Sequence, residues 1–508
     1  MKKKITLLSI IGLLFTFSCN DSFLTEGNPT AASVNSSFNS PAEADQAVVA
    51  IYAGLQADNL YGREYWWLLD LLSDELLSGG AILEARRAAI LNYNIDASNE
   101  LINSVWNGIY RTIHRSNLVI TTLPGKERSL GVGQLEQDLI DKLTAEARFF
   151  RGWMYFELVS LWGNVPFTTR PLSTVEGIAK AESVDVIYTQ IYSDLDSAIA
   201  LLPTKAEDPS GRATSAAAQA MKARVLLFQG RYEEARAPLQ AIISSGAYRL
   251  VDEYVDNHRE ENELNDESLF EVQFSSEAGN SNGWSGNGDG LKEVTVRGQE
   301  YSPVDWHNTV PSDQLLNAHE AGDPRYDYNF LEYGELYGSQ NEEQALTFGP
   351  ESIAQGTTAR TTHWFKYGNL YKKPRELFWS GINMRVLRYA DVLLMMAEVE
   401  LEAGNVSAAV GYINQVRARP SVNMPPIAAT SAADVFNALV RERQVELASE
   451  QIRYRDVRRW LNNGKLAQNP IATDIPGGIP SNLALLPIPQ QEIDNNPALT
   501  QNDQNSGF

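Results

Sequence analysis

The chain has 508 residues, a formal net charge of −22 and a single cysteine. This acidity excludes nucleic acid as a partner class, because such binding rests mainly on cationic contacts to phosphate. One cysteine rules out an internal disulfide, so stability rests on the core, and a length prior of roughly three domains gives way to a single body if helical repeats merge.

The chain opens "MKKKITLLSIIGLLFTFSC". Lys2, Lys3 and Lys4 form a positive leader, and Ile5 to Phe17 carry no charge. That run is too short for a spanning helix, which needs about 20 residues, and no later segment is long and apolar enough to span either. It matches the apolar region of a secretory signal, with small Ser18 before the cut. Ending at Cys19, it resembles a bacterial lipoprotein signal, whose cysteine becomes the lipid-modified first residue, although Thr16 stands where the usual box has Leu. Cys19 is therefore read as the lipid anchor; the plain alternative is an ordinary secretory signal with a chance cysteine at its end. Removal of residues 1–18 with their three lysines takes the charge from −22 to −25. Residues 19–40 read as anchor and polar tether, and 41–508 as one body.

Long helical stretches follow at 41–56, 99–121 and 134–162. In the last, Leu143, Ala147, Phe150, Met154, Leu158 and Leu161 recur at spacings of three and four, the stripe of an amphipathic helix, and Gly163 and Pro166 stop it. Two later stretches align without gaps: "MKARVLLFQGRYEEARAPLQAI" from Met221 and "MMAEVELEAGNVSAAVGYINQV" from Met395. Ala223 matches Ala397, Gly230 matches Gly404, and Ala235 matches Ala409. Each reads as helix, tight turn at glycine, helix, with small alanines that let the backbones approach, which is the pattern of a tetratricopeptide unit. Weaker units are expected from the 143–162 helix with the helix from Val186, and from the first helices of the chain. Between the two clear copies, residues 275–310 and 333–374 are rich in Gly, Asn and Ser with interspersed aromatics. Ordered connections of this length are usually functional, so the helical scaffold (about 41–270 and 385–460) is expected to carry a loop-built ligand surface (about 275–380).

Several motifs are similar to those of a known family. "EARFFRGWMYFELVSLWGNVPF" (146–167), "ATSAAAQAMKARVLLFQGRYEEA" (213–235), "LRYADVLLMMAEVELEAGN" (387–405), "RERQVELASEQIRYRDVRRW" (441–460) and "LLPIPQQEIDNNPALTQN" (485–502) resemble the SusD/RagB family of Bacteroidetes outer-membrane lipoproteins. Asp21, soon after the cysteine, resembles the surface-export signal of such lipoproteins. The resemblance implies a mainly α fold, SusD-like, with about four tetratricopeptide-like hairpins and a loop-rich ligand-binding half. It also implies a surface glycan-binding lipoprotein that sits as a lid on a SusC-like TonB-dependent transporter in the outer membrane; the residues themselves point to no enzymatic activity and no cofactor. It transfers no single ligand residue.

For the ligand site the residues themselves are weighed. His114, His258, His307, His319 and His363 are scattered, with no i, i+4 pair of a helical zinc site. "GWSGN" (283–287) departs from a nucleophile elbow at Asn287. "SGNGDGLKEVTV" (285–296) has EF-hand-like Asn287, Asp289 and Gly290 but lacks the opening aspartate and closing glutamate. Sugar rings need aromatic faces with Asn, Asp, Gln or Arg beside them. Two stretches combine these: "NLYGREYWWLLD" (59–70), with Trp66 and Trp67 near Arg63 and Glu64, and the loop carrying Trp284, Tyr301 and Trp306 among Asn287, Asp289 and Asp305. For Trp66 and Trp67 a core role stands beside the ligand role, since adjacent helical residues point apart and one of them is expected inside. Trp153, Trp162, Trp379 and Trp460 are assigned to the core. The basic run "RYRDVRRWL" (453–461) follows Glu442, Glu446 and Glu450 on what reads as one helix, which suggests intrahelical pairs. Two rival functions keep the scaffold: a peptide-binding relative serving peptide import, and a structural adaptor with no small ligand.

Overall fold

A computed structural model describes residues 38, 40–79, 83–125, 136–171, 177–277, 294–354, 359–376, 378, 380–474 and 485–508. The signal sequence, Cys19 and nearly all of the tether lie outside the described residues. The first helix, α1 (Pro41–Leu55), begins where Pro41 follows Ser40, whose hydroxyl accepts from the Glu43 N–H; a proline at the first turn and a serine cap are the sequence marks of a helix start. Then come α2 (Glu64–Leu71), β1 (Leu76–Ser78), α3 (Ala85–Leu91), α4 (Glu100–Thr122, capped by the Asn99 side chain) and α5 (Gln137–Trp162). From Phe149 to Trp162 every residue of α5 is buried. The apolar stripe read from the sequence is thus only one side of a helix enclosed on all sides, its polar members held by partners: Arg151 binds Asp194 through two nitrogens at 2.7 Å.

The chain continues through α6 (Val184–Leu201), α7 (Ser215–Phe228) and α8 (Tyr232–Ser245) to β2 (Ser268–Val272). The loop-rich half follows, with α9 (Arg297–Tyr301), β3 (Thr309–Pro311), β4 (Phe330–Glu332) and β5 (Thr362–Trp364). Finally β6 (Met384–Arg388) feeds α10 (Tyr389–Glu402), α11 (Val406–Arg417), α12 (Ala432–Glu446) and α13 (Arg453–Asn462). The hairpins expected from the two matched stretches are α7–α8 and α10–α11. Their turn glycines, Gly230 and Gly404, sit at φ +71° and +81°, a backbone that glycine adopts without steric cost. The weaker pairs also form, as α5 with α6 and α1 with α4. Although 174 residues apart in the alignment, the two clear hairpins adjoin in space: α8 packs on α10, Arg236 pairs with Glu400, and Arg224 bonds Asp391 at 2.8 Å.

Three short antiparallel pairs order the chain around the loop-rich half: one closes its two ends, one ties it to the helical scaffold and one lies within it. Strand β2 pairs with β6, with Val272 opposite Met384; β1 pairs with β3, with Leu77 opposite Val310; and β4 pairs with β5, with Leu331 opposite His363. One continuous apolar core runs through the helices and these strands, with a small separate cluster of Val304, Leu331, Tyr337, Phe348 and Leu370 under the loops.

The basic run at 453–461 corrects the sequence reading. Glu442 and Glu446 lie on α12, Glu450 in the turn after it and the arginines on α13, so intrahelical pairing is geometrically closed to most of them. Only Arg459 with Asp456 is an i, i+3 pair, at 2.9 Å. Arg453 instead reaches Asp74 at 2.7 Å, Arg455 reaches Glu157, and Arg459 reaches Glu398. On the other helix, Glu442 takes Arg325 and Arg417, while Glu446 takes Arg325, Arg388 and Arg419, all at 2.6–3.0 Å. Arg388 uses all five N–H groups of its guanidinium, on Glu267, Glu446 and Glu450 and on the Glu446 carbonyl, at 2.6–2.9 Å. Burial alone raises the Glu446 carboxyl, but Arg419, Arg388 and Arg325 outweigh it and hold the group well below the usual carboxylate range. Removing one partner strands buried charge, so Arg388→Met is expected to cost about 3–5 kcal/mol, read as a lower denaturant midpoint with an unchanged slope. A loss below about 1 kcal/mol would contradict this account.

Candidate functional site

The two stretches singled out by composition meet in space. Residues 294–308 lie across α2, with the Thr295 hydroxyl donating to the Gly62 carbonyl at 3.3 Å. Within α9, Arg297 donates to Asp70 at 3.1 Å and to the Ser449 hydroxyl at 2.7 Å, and the Tyr301 hydroxyl donates to the same Asp70 at 2.8 Å. Glu300 takes Arg63 at 2.6 Å and Arg87 at 3.1 Å. Between these polar ties, the rings of Trp66, Trp67 and Tyr301 pack with centroids 5.2–5.3 Å apart, and the Arg87 guanidinium covers Trp67 at 4.2 Å.

This geometry corrects the expectation for three residues. Trp66 and Trp67 are 0 % exposed and Tyr301 is 3 % exposed, so none offers a ring face to a ligand. All eight residues of α2 are buried, because α4 and α13 as well as α9 pack around it. Adjacent positions on a helix do point apart, but here both directions lead into the core. Of the tryptophans assigned to the core, Trp153, Trp162 and Trp460 are fully buried. Trp379, Trp284, Asn287, Asp289 and most of the 285–296 loop lie outside the described residues.

Trp306 is different. It is half-buried, and its ring meets Phe378 edge to face at 5.7 Å and 81°. Beside this aromatic ledge Arg375, 64 % exposed at its side chain, pairs with Asp305 at 3.2 Å. The second Asp305 oxygen is fixed by the Ser302 hydroxyl at 2.9 Å and the Glu376 N–H at 2.8 Å. Half-exposed aromatics beside a solvent-facing guanidinium that a buried carboxylate orients have the composition of a polar-ligand site, apolar face with few placed polar groups. Under the ledge, Glu376 is fully buried. Burial, with the Asp305 and Glu260 charges, lifts its carboxyl to about 7, against Lys373 and the Asn369 N–H, which lower it. Sequence reasoning found Trp306 and missed Phe378 and Arg375; "PRELFW" (374–379), two aromatics beside charged residues within the loop-rich part, was the available signal.

Two histidines scattered in sequence, His307 and His363, meet at 3.1 Å. Burial and the neighbouring His307 push His363 down to about 3, so His363 is neutral within a buried histidine pair. Among the described residues no group of three or more His, Cys, Asp or Glu side chains is arranged to hold a metal ion, and no helix is long and apolar enough to cross a membrane.

A scaffold of helical hairpins that presents exposed aromatics and charges on its loops defines a repeat-built platform with a loop-built surface. The chain belongs to the SusD family: the family profile matches residues 266–507, and a second SusD-like profile, described as starch-binding associating with outer membrane, matches residues 22–227. It is 26% identical to SusD-like protein P25 of Formosa agariphila over 98% of both chains. Among solved structures, a SusD superfamily protein of Bacteroides vulgatus superposes with a TM-score of 0.76 at 25% identity, covering 93% of this chain and 100% of that one. A laminarin-binding SusD-like protein superposes with a TM-score of 0.72 at 26% identity, covering 93% and 100%.

Two outcomes follow from the site. Trp67→Ala should lower stability by about 3–5 kcal/mol, the cost of emptying a packed core position, whereas Trp306→Ala should cost about 1 kcal/mol or less; denaturant unfolding compares them. Glu376 titrates near 7 when folded and near 4.5 when unfolded, so the unfolded chain loses its proton first. Stability therefore falls as pH rises between those values, by up to about 3 kcal/mol. The melting temperature of Glu376→Gln should gain on that of the parent between pH 5 and pH 8, and a constant gap would refute the assignment.

Proposed function

We propose that this chain is a non-catalytic lipoprotein, anchored through Cys19 at the cell surface, that captures a neutral glycan and passes it to a SusC-like TonB-dependent transporter in the outer membrane. The observation that carries the reading is the Trp306–Phe378 ledge with Arg375 and Asp305, on a chain of a family described as starch-binding and associated with the outer membrane. A sugar ring lays its C–H face on the indole, while its hydroxyls take the Arg375 guanidinium, which the buried Asp305 carboxylate holds in place. Neither step makes or breaks a covalent bond. The similarity to a laminarin-binding relative makes a neutral β-glucan the first ligand to try.

The test is affinity electrophoresis of the mature chain through gels containing laminarin, starch and other polysaccharides, with an assay for new reducing ends. One glycan should retard the protein without new ends, and Trp306→Ala should weaken retardation about tenfold, the effect of removing an aromatic anchor. Retardation should change little with salt, because a neutral ligand has no charge to screen. No retardation by any glycan, or strong salt dependence with a basic peptide, would transfer the function to peptide capture; new reducing ends would make the protein an enzyme.

A further inference from the structure

The loop-rich half holds a second concavity, of about 360 Å³, that shares no lining residue with the Trp306 ledge. Its walls are aromatic: Tyr328, Phe365 and Tyr371 are each half-buried there. Tyr328 is backed by Tyr254, stacked at 6.1 Å, and Tyr371 carries the Arg259 guanidinium 4.3 Å from its ring centre. Two polar side chains deep in the cleft have no hydrogen-bond partner in the protein. His258 is 5 % exposed, and neither ring nitrogen is bonded. Its nearest carboxylate, Glu450, lies 3.8 Å from Nε2 and is already committed to Lys366 and Arg388. Tyr367 is 3 % exposed, its hydroxyl is unbonded, and its backbone is held at φ +61°.

A buried polar group left unpaired costs about 1–3 kcal/mol, so two in one cleft call for a use. Charge does not supply it. The Lys366 ammonium spends its three donors on Tyr254, the Ala448 carbonyl and Glu450, at 2.7–3.1 Å. Burial, reinforced by the charges of Lys366, Arg388, Arg385 and Arg297, keeps the His258 ring neutral. A neutral imidazole offers one donor and one acceptor, and a phenol can act as either. That set suits hydroxyl groups, and the Arg259 guanidinium over Tyr371 adds a further donor at the cleft. An open cleft bounded by three aromatic side chains suits one ring and not a chain.

We propose that this cleft is a second, separate sugar subsite. It takes a single neutral sugar residue against Tyr328, Phe365 and Tyr371, with two hydroxyls bonded to His258 and the Tyr367 hydroxyl. The ligand class rests on the glycan reading given above; the site itself does not. The test is saturation-transfer NMR of the full mature chain with glucose, galactose, mannose, xylose and N-acetylglucosamine in turn. The Trp306→Ala background is used so that the ledge is impaired. At least one sugar should receive saturation in that background. Tyr367→Phe, which removes one oxygen and leaves the ring in place, should weaken the signal about fivefold, and Tyr371→Ala should abolish it. Absence of transfer to every sugar, or a signal that survives both cleft variants, would overturn the proposal. If the cleft is silent while a polysaccharide still retards the parent protein, only the second subsite fails; if both are silent, the glycan reading fails with it.

Discussion

The fold depends on one constraint: a set of carboxylates and guanidiniums is buried together, and each is tolerable only because the others are placed to meet it. Arg388 stands at the centre, at the junction of β6 and α10, with Glu267 from the start of β2 and Glu446 and Glu450 from the end of α12 and the turn beyond it. Arg419 and Arg325 close the set from the turn after α11 and from the loop-rich half. Taking isolated charges out of water costs several kcal/mol each, and the cost is met only when geometry and hydrogen bonds are complete. Such a network contributes little net stability and much specificity: other packings of these helices would leave charges unpaired. It also decides how the two halves meet, since Arg325 and Lys366 come from the loops while Glu442 and Glu446 belong to α12 and Glu450 to the turn after it.

From that fixed frame the ligand-facing loops gain their rigidity. Asp70 on α2 serves as a second hub, receiving Arg297, Tyr301, Ser449 and Gln451 within 3.1 Å. Those bonds pin α9, and a few residues further on Trp306 reaches the surface with the buried Asp305 beside it. The buried tryptophans are thus support for the exposed one. A binding surface is only as well ordered as the residues behind it, and here the backing consists of aromatic rings locked by buried ion pairs. The small aromatic-walled cleft around His258 is built on the same frame, because Lys366, which lines it, is paired with Glu450 of the central network.

The repeat architecture was legible from the chain because local rules produce it. Gly230 and Gly404 each end a helix in a positive-φ turn, small alanines are buried on both helices of each hairpin, and Asn99 and Ser40 cap where their side chains reach free N–H groups. These features act over a few residues, so sequence carries them. The pairing of the basic run at 453–461 was not legible. Asp74 and Glu157 lie hundreds of positions from Arg453 and Arg455, and nothing local distinguishes an arginine that will find a distant carboxylate from one that will pair within its helix.

The candidate site divides in the same way. Trp306 could be singled out because a tryptophan in a loop-rich stretch has no helix of its own to pack on, and it is half-exposed. Trp66 and Trp67 looked equally suitable, yet their exposure depended on what covers α2, and α9 arrives there from more than two hundred residues away. Phe378 and Arg375 gained meaning only when the chain brought them beside Asp305. The sequence by itself determined the helices, their hairpin turns and the family to which they belong, because spacing and turn chemistry act within a few residues. The tertiary structure alone decided which aromatics are buried and which charges are paired, because burial and desolvation belong to surfaces that exist only after distant segments have met.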